Sequence, residues 1–151
     1  MMQYFTTADQ AAGGYQTTFL SAGTMTQVFC LGPITMNKND VVWASANSEI
    51  TNNGDGNNMS QWELFLSTDP AAIESYDPKL KFSGWDATNI TPDQHHFSIS
   101  NSGCVRCNSA GQWYVIFAAA ADADYNMTET SETGGYGKMD ALVFSRDMFG
   151  L

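Results

Sequence analysis

An all-β fold, a two-sheet antiparallel sandwich of jelly-roll type with eight or nine short strands and little helix, is what this sequence predicts. Three observations predict it. Short segments rich in β-branched and aromatic residues recur along the chain, Asn/Gly/Pro-rich turns separate them, and no helical apolar periodicity lasts longer than about two turns. The spacing is uneven, with some long connections, which favours a jelly roll over a regular sandwich.

The first 15 residues are poor in large aliphatics and end at Gly13 and Gly14. They are expected to form an N-terminal arm (1–15), with a short helix around 8–12, ahead of a single domain over 16–151. Residues 16–21 (QTTFLS) make a first short strand. Residues 24–31 alternate, placing Met25, Gln27, Phe29 and Leu31 on one side, and Gly32–Pro33 interrupts them. The turn at 37–40 (NKND) leads into 41–46 (VVWASA), a buried strand that 48–51 continues.

Residues 52–58 (NNGDGNN) are the strongest break in the chain. After it, 60–67 (SQWELFLS) alternates, with Trp62, Leu64 and Leu66 facing one way and Gln61, Glu63 and Phe65 the other. Asp69 as a cap, Pro70 at the first helical position and two alanines predict one helical turn over 69–74. Further strands are expected at 80–83, 95–100, 112–119 and 141–145. Residues 113–117 are continuously apolar and belong in the middle of a sheet. The stretch 129–137 (ETSETGGYG) reads as a long polar loop.

Composition narrows the function. Of 151 residues 43% are hydrophobic but only 15% charged, and 16 acids against 6 bases give a net charge of −10. Ser, Thr and Asn supply 38 residues, so the surface is polar yet mostly uncharged. Nucleic acid is excluded as a partner because neutralising phosphates takes clustered Lys and Arg. An anionic membrane surface is disfavoured on the same ground, and no apolar run is long enough to span a bilayer. The N-terminus lacks a basic leader and an apolar stretch, so no signal peptide is expected. Three cysteines cannot all pair within one chain, which fits synthesis in a reducing cytoplasm, or a product made inside a cell and used outside it.

Chemical motifs are sparse. Cys104 and Cys107 form the one CxxC, with His95 and His96 upstream and Cys30 far off in sequence. The setting (NSGCVRCNSAG) reads as a hairpin turn with incidental thiols; a zinc site or a cross-hairpin disulfide are the alternatives. Adjacent histidines on a strand face opposite ways, so at most one reaches a given ligand. Asp122, Asp124 and Asn126 alternate and could present oxygens on one face, as could the 52–58 loop, but neither completes a calcium set. Glu63 is expected on the solvent face of its strand. Trp43, Trp62 and Trp113 lie in strand runs and are expected in the core, while Trp85 sits in a loop. No nucleophile elbow is present. No catalytic residue, metal or cofactor is expected, and the chain is not expected to be an enzyme.

The NKND turn leading into 41–46, the strand at 62–66 and the uncharged Ser/Thr/Asn-rich surface together resemble small virion proteins of tailed bacteriophages. The resemblance is to capsid decoration (cement) proteins and to the receptor-binding heads of fibres. It implies a β-sandwich or jelly-roll module, a trimeric state, no signal peptide and no enzymatic site. It is a likeness of fold and style.

Physical reasoning adds an expectation of assembly. Eight methionines and many aromatics are more apolar material than a chain this short easily buries, and a subunit interface takes the surplus. The expected function is that of a virion structural protein, a decoration or cement subunit on a bacteriophage capsid. Its expected partners are itself, as a homotrimer, and a major capsid or other virion protein, with Tyr4 and Phe5 of the arm at the interface. The alternative is a receptor- or carbohydrate-binding module of fibre-head type that uses Trp85 and Tyr136.

Overall fold

The computed structural model describes residues 2–7, 16–84, 86–92, 97–122, 126–130 and 137–149. Ten strands are found among them: β1 (Met2–Thr6), β2 (Gln16–Leu20), β3 (Thr26–Met36), β4 (Val41–Asn52), β5 (Asn58–Ser67), β6 (Asp86–Ile90), β7 (Phe97–Arg106), β8 (Gly111–Ala121), β9 (Asn126–Thr130) and β10 (Lys138–Phe144). Pro78–Leu80 and Arg146–Phe149 are short 3-10 turns.

All strand pairs are antiparallel, and the strands form two sheets. The first carries the order β1-β10-β4, with β7 on the other edge of β4; the second has the order β3-β8-β5-β6. Four strands, β1-β10-β4-β7, thus face four others, β3-β8-β5-β6, in the eight-stranded arrangement of a jelly roll. The β2–β9 pair extends the first sheet where β10 ends. β4 pairs with β10 over Val41–Asn47 and with β9 over Glu49–Asn52, both on one edge. Gly137 marks the entry to β10. A Cβ there would lie 2.6 Å from the Asn47 carbonyl oxygen, so only glycine allows this approach to β4.

The core lies between the sheets. Val42, Ala44, Ala46 and Ile50 of β4 and Met139, Ala141 and Val143 of β10 meet Trp62, Leu64 and Leu66 of β5 and Trp113, Val115 and Phe117 of β8. The Trp62 indole N–H donates to the Ser100 carbonyl at 2.8 Å, so this large ring ties β5 to the opposite sheet without leaving its polar atom unsatisfied.

A smaller core explains the unbroken apolar run of β8. Phe65, Ile116 and Ala118 point away from the main core yet are fully buried, with Ala72 packed against them. The segment 68–82 straps across this outer face. Gln27 holds it by donating to the carbonyls of Pro70 (2.7 Å) and Ala72 (2.6 Å).

Several elements differ from the sequence expectation. β3 passes through Gly32–Pro33, which sits at a register shift between Leu31 and Ile34 rather than ending the strand; a second shift between Gln27 and Phe29 breaks the expected alternation. Residues 69–74 form a turn closed by Ala72 N–H to Asp69 C=O, without a helix. Residues 80–83 contribute one bridge, Lys81 to Phe65, in place of a strand. β1, β6 and β9 are additional strands, and β7, Phe97–Arg106, runs past the expected end at Ser100, while residues 95 and 96 lie outside the described residues. The stretch assigned to an N-terminal arm contains β1, paired along its length with β10. Residues 8–15, including the expected short helix, lie outside the described residues.

Candidate functional site

Strand parity sorts the first sheet into two faces. Val42, Ala44 and Ala46 point inward, so Val41, Trp43 and Ser45 point outward. On β10 the outward set is Lys138, Asp140, Leu142 and Phe144, and on β7 it is Ser98, Ser100, Ser102, Cys104 and Arg106. Cross-strand register aligns these residues in rows. One row is Tyr4–Leu142–Trp43–Cys104, and the next is Met2–Phe144–Val41–Arg106. A further row, Thr6–Asp140–Ser45–Ser102, is polar.

The two apolar rows form a continuous exposed strip. Met2 is 56% exposed, Tyr4 59% and Met148, from the 3-10 turn after β10, 53%. Val41, Trp43, Leu142 and Phe144 are half-buried. Val41, Trp43, Cys104, Phe144 and Met148 line an open groove of about 470 Å³. Trp43 is therefore not a core residue as the sequence predicts; it is the centre of this strip. Apolar patches of this kind on a small protein mark interaction surfaces.

The strip has a charged border that is locally neutral. The Tyr4 hydroxyl donates to Asp140 Oδ1 at 2.6 Å, and Lys138 Nζ lies 3.1 Å from Asp140 Oδ2. Burial works against ionisation of Asp140, but hydrogen bonds from Tyr4 and Thr6 and the Lys138 ammonium outweigh it and hold the carboxyl below its ordinary range. The same contact raises the Lys138 pKa. Phe5, the neighbour of Tyr4, turns inward and packs on the main core, so of these two residues only Tyr4 faces outward.

A second concavity, about 240 Å³, lies where the strap meets the outer face of the second sheet, lined by Met25, Gln61, Trp62, Glu63, Glu74, Ser75, Tyr76 and Lys81. Glu63 is not on a solvent face as expected. Its side chain is 6% exposed, accepts from the Ser75 N–H at 2.8 Å and pairs with Lys81 Nζ at 3.0 Å. Tyr76 stands over this depression with 85% exposure, its hydroxyl on Glu74.

The cysteines do not form one unit. Cys104 lies within β7 and faces outward, and Cys107 is buried in the main core at the start of the β7–β8 connection. The expected hairpin turn thus begins only at Cys107. The register of Cys104 inside the strand follows from Gly103, where a Cβ would come within 1.8 Å of the Phe82 carbonyl oxygen. All three thiols are free. Burial pushes the thiols of Cys30 and Cys107 up in pKa; for Cys107 a hydrogen bond from the Ser109 backbone works the other way and Asp40 adds to the rise. Among the described residues no group of three His, Cys, Asp or Glu side chains converges. His95, His96, Trp85, Tyr136 and Asp124 lie outside the described residues, as does the side chain of Asn126. Asp122 caps the neighbouring strand instead, accepting from the Met59 N–H at 3.0 Å.

No protein-family model and no curated protein matches the chain. Among solved structures it is similar to a family 16 carbohydrate-binding module at 10% identity and a TM-score of 0.34, covering 81% of this chain and 77% of that one. It is also similar to the C-terminal family 6 carbohydrate-binding module of LamC, a laminarinase from Zobellia galactanivorans (8% identity, TM-score 0.32, 93% of this chain and 98% of that one). A third similarity is to infectious bursal disease virus, Gt strain, at 8% identity and a TM-score of 0.27, covering 96% of this chain and 37% of that one. Binding modules and a virus structure therefore both stand among the structural neighbours.

Proposed function

We propose that this chain is a non-catalytic jelly-roll assembly protein, a decoration or cement subunit of a virion, that associates with copies of itself through the outer face of the first sheet. The observation that carries this reading is the strip formed by Met2, Tyr4, Val41, Trp43, Leu142, Phe144 and Met148. Subunits of net charge −10 repel one another, so close approach favours a face whose charges are already paired. The Lys138–Asp140–Tyr4 group supplies such a border. The serines of β7 provide a polar rim around the apolar centre, the usual layout of an interface. A homotrimer docked on a capsid shell is the expected assembly.

Light scattering on wild type and on a Tyr4→Ser/Trp43→Ser variant tests this. Both side chains point outward from the first sheet, and an unchanged circular-dichroism spectrum checks that the variant keeps its fold. The wild type is expected as an oligomer at high concentration, little changed by salt, and the variant as a monomer. A monomeric wild type at high concentration, or an unaffected variant, would overturn the reading.

One observation favours a second reading, a carbohydrate-binding module. Tyr76 presents an exposed ring beside Gln61, Glu74 and Lys81, which is the pairing of a stacking surface with polar groups that sugar recognition requires. A monomeric wild type whose glycan binding is lost in Tyr76→Ala would replace assembly with this function.

A further inference from the structure

The chain has six cations, and they divide into two sets. Lys81, Lys138 and Arg146 each sit beside a carboxylate, that of Glu63, Asp140 and Asp147 respectively. The other three, Lys38, Lys79 and Arg106, come from the β3–β4 turn, the 3-10 turn Pro78–Leu80 and the end of β7, far apart in sequence. All three line one open depression of about 370 Å³ together with Asn39 and Asn108. Among the described residues none of the three has an ion-pair partner. Half the positive charge of a strongly acidic protein thus converges, unneutralised, at one end of the sandwich.

The backbone fixes this end. Asn39 N–H donates to the Cys107 carbonyl at 2.8 Å, and Cys107 N–H donates to the Asp40 carbonyl at 2.8 Å, so the turn bearing Lys38 is joined to the end of β7. Asn39 holds a left-handed conformation, φ 74°, which Asn tolerates better than most residues. The carboxylates nearest in sequence are held by backbone N–H groups and form no ion pair with the three cationic side chains. Asp40 is buried and accepts the backbone N–H groups of Asn37 (2.7 Å) and Arg146 (3.0 Å), and Asp77 accepts the Lys79 N–H at 2.9 Å.

We infer that Lys38, Lys79 and Arg106 form a binding site for a single tetrahedral oxyanion, sulfate or phosphate, either free or carried as an ester on a sugar. Arg106 offers a planar pair of donors for two oxygens and the lysines add mobile charge, while the Asn39 and Asn108 amides can complete the donor set. Screening confines the field of distant acids to about 8 Å at physiological ionic strength, so the local charge of the site, not the net −10, governs a small ion. A long polyanion would instead run onto the acidic remainder of the surface. Arg106 ends one row of the assembly face, whereas Lys38, Lys79 and Asn108 lie beyond it, so loss of sulfate binding in a variant that still oligomerises would sink this site alone.

Amide NMR titration with sodium sulfate at low ionic strength tests the site, with sodium chloride at equal ionic strength as reference. The expected result is a saturable shift confined to residues around Asn39, Arg106 and Asn108, weakened about tenfold in Lys38→Gln/Arg106→Gln. The rest of the variant's spectrum should stay native, because both side chains are exposed. Glucose 6-phosphate binding more tightly than inorganic phosphate would assign the ester form, and equal affinity would assign the free ion. Shifts that chloride reproduces, or that persist in the variant, would overturn the site.

Discussion

Removing the charge partner of Glu63 is expected to loosen the strap over the second sheet. Glu63 and Lys81 are 3.0 Å apart with side-chain exposures of 6% and 20%. At an effective dielectric near 20, two unit charges at that distance attract by roughly 5 kcal/mol, most of which desolvation cancels. Lys81→Met leaves a buried carboxylate with the Ser75 N–H as its remaining donor, a cost of about 2–3 kcal/mol. Glu63→Gln keeps an acceptor for Ser75 and frees Lys81, already one-fifth exposed, to reach water, so it costs less, about 1–1.5 kcal/mol. The double variant should be less destabilised than the sum of the singles, with a coupling of about 1–2 kcal/mol. Urea unfolding followed by tryptophan fluorescence measures all four proteins, and equal m-values make the midpoints comparable. Additivity within about 0.3 kcal/mol would refute the claim that this pair holds the strap down.

Other consequences follow from particular contacts. Gly103→Ala should cost at least about 3 kcal/mol or prevent folding, because the new methyl meets backbone at 1.8 Å, whereas Ser102→Ala next to it should be nearly neutral; thermal melts decide. Asp140 has a folded pKa below its unfolded value, so its stabilisation is present above the ordinary carboxylate range and is lost as pH falls through the lowered folded value. Asp140→Asn should therefore flatten the acid limb of a plot of melting temperature against pH, and an unchanged limb would contradict the assignment. In the folded monomer, at low protein concentration, Cys104 should react first with a maleimide and Cys107 only on unfolding, with Cys30 between them; mass spectrometry of timed samples checks the order.

What the sequence disclosed was the part of the fold governed by apolar pattern. The strands around Val42–Ala46, Trp62–Leu66 and Trp113–Phe117 are the main core, because each buries one face against the opposite sheet. β1, β6 and β9 escaped notice for a physical reason. β6, for example, buries only Ile90 and is held by backbone pairing to β5, which leaves little trace in side-chain alternation. The NSGC stretch looked like a turn because it is rich in small residues. Its Gly103 is there to let the Phe82 backbone lie against the strand. The alternation of β5 placed Glu63 on the correct face. That a strap would cover this face depends on Gln27, Lys81 and Ser75, contacts that no local pattern encodes.

The candidate sites were less legible still. Trp43 sits in a run that reads as buried, and only the outer neighbours Leu142 and Tyr4, brought in by register, reveal an exposed strip. Lys38, Lys79 and Arg106 carry no motif. The one available signal was the scarcity of cations, which makes any convergence among them conspicuous once the fold brings them together.

Maleimide labelling of Cys104 as a function of protein concentration tests the assembly face most directly. This thiol lines the apolar groove beside Trp43, so association through that face covers it. Labelling should slow as light scattering reports growth from monomer to oligomer, and should stay fast at every concentration in Tyr4→Ser/Trp43→Ser. An oligomer in which Cys104 reacts as quickly as in the monomer would place the interface elsewhere and contradict the account.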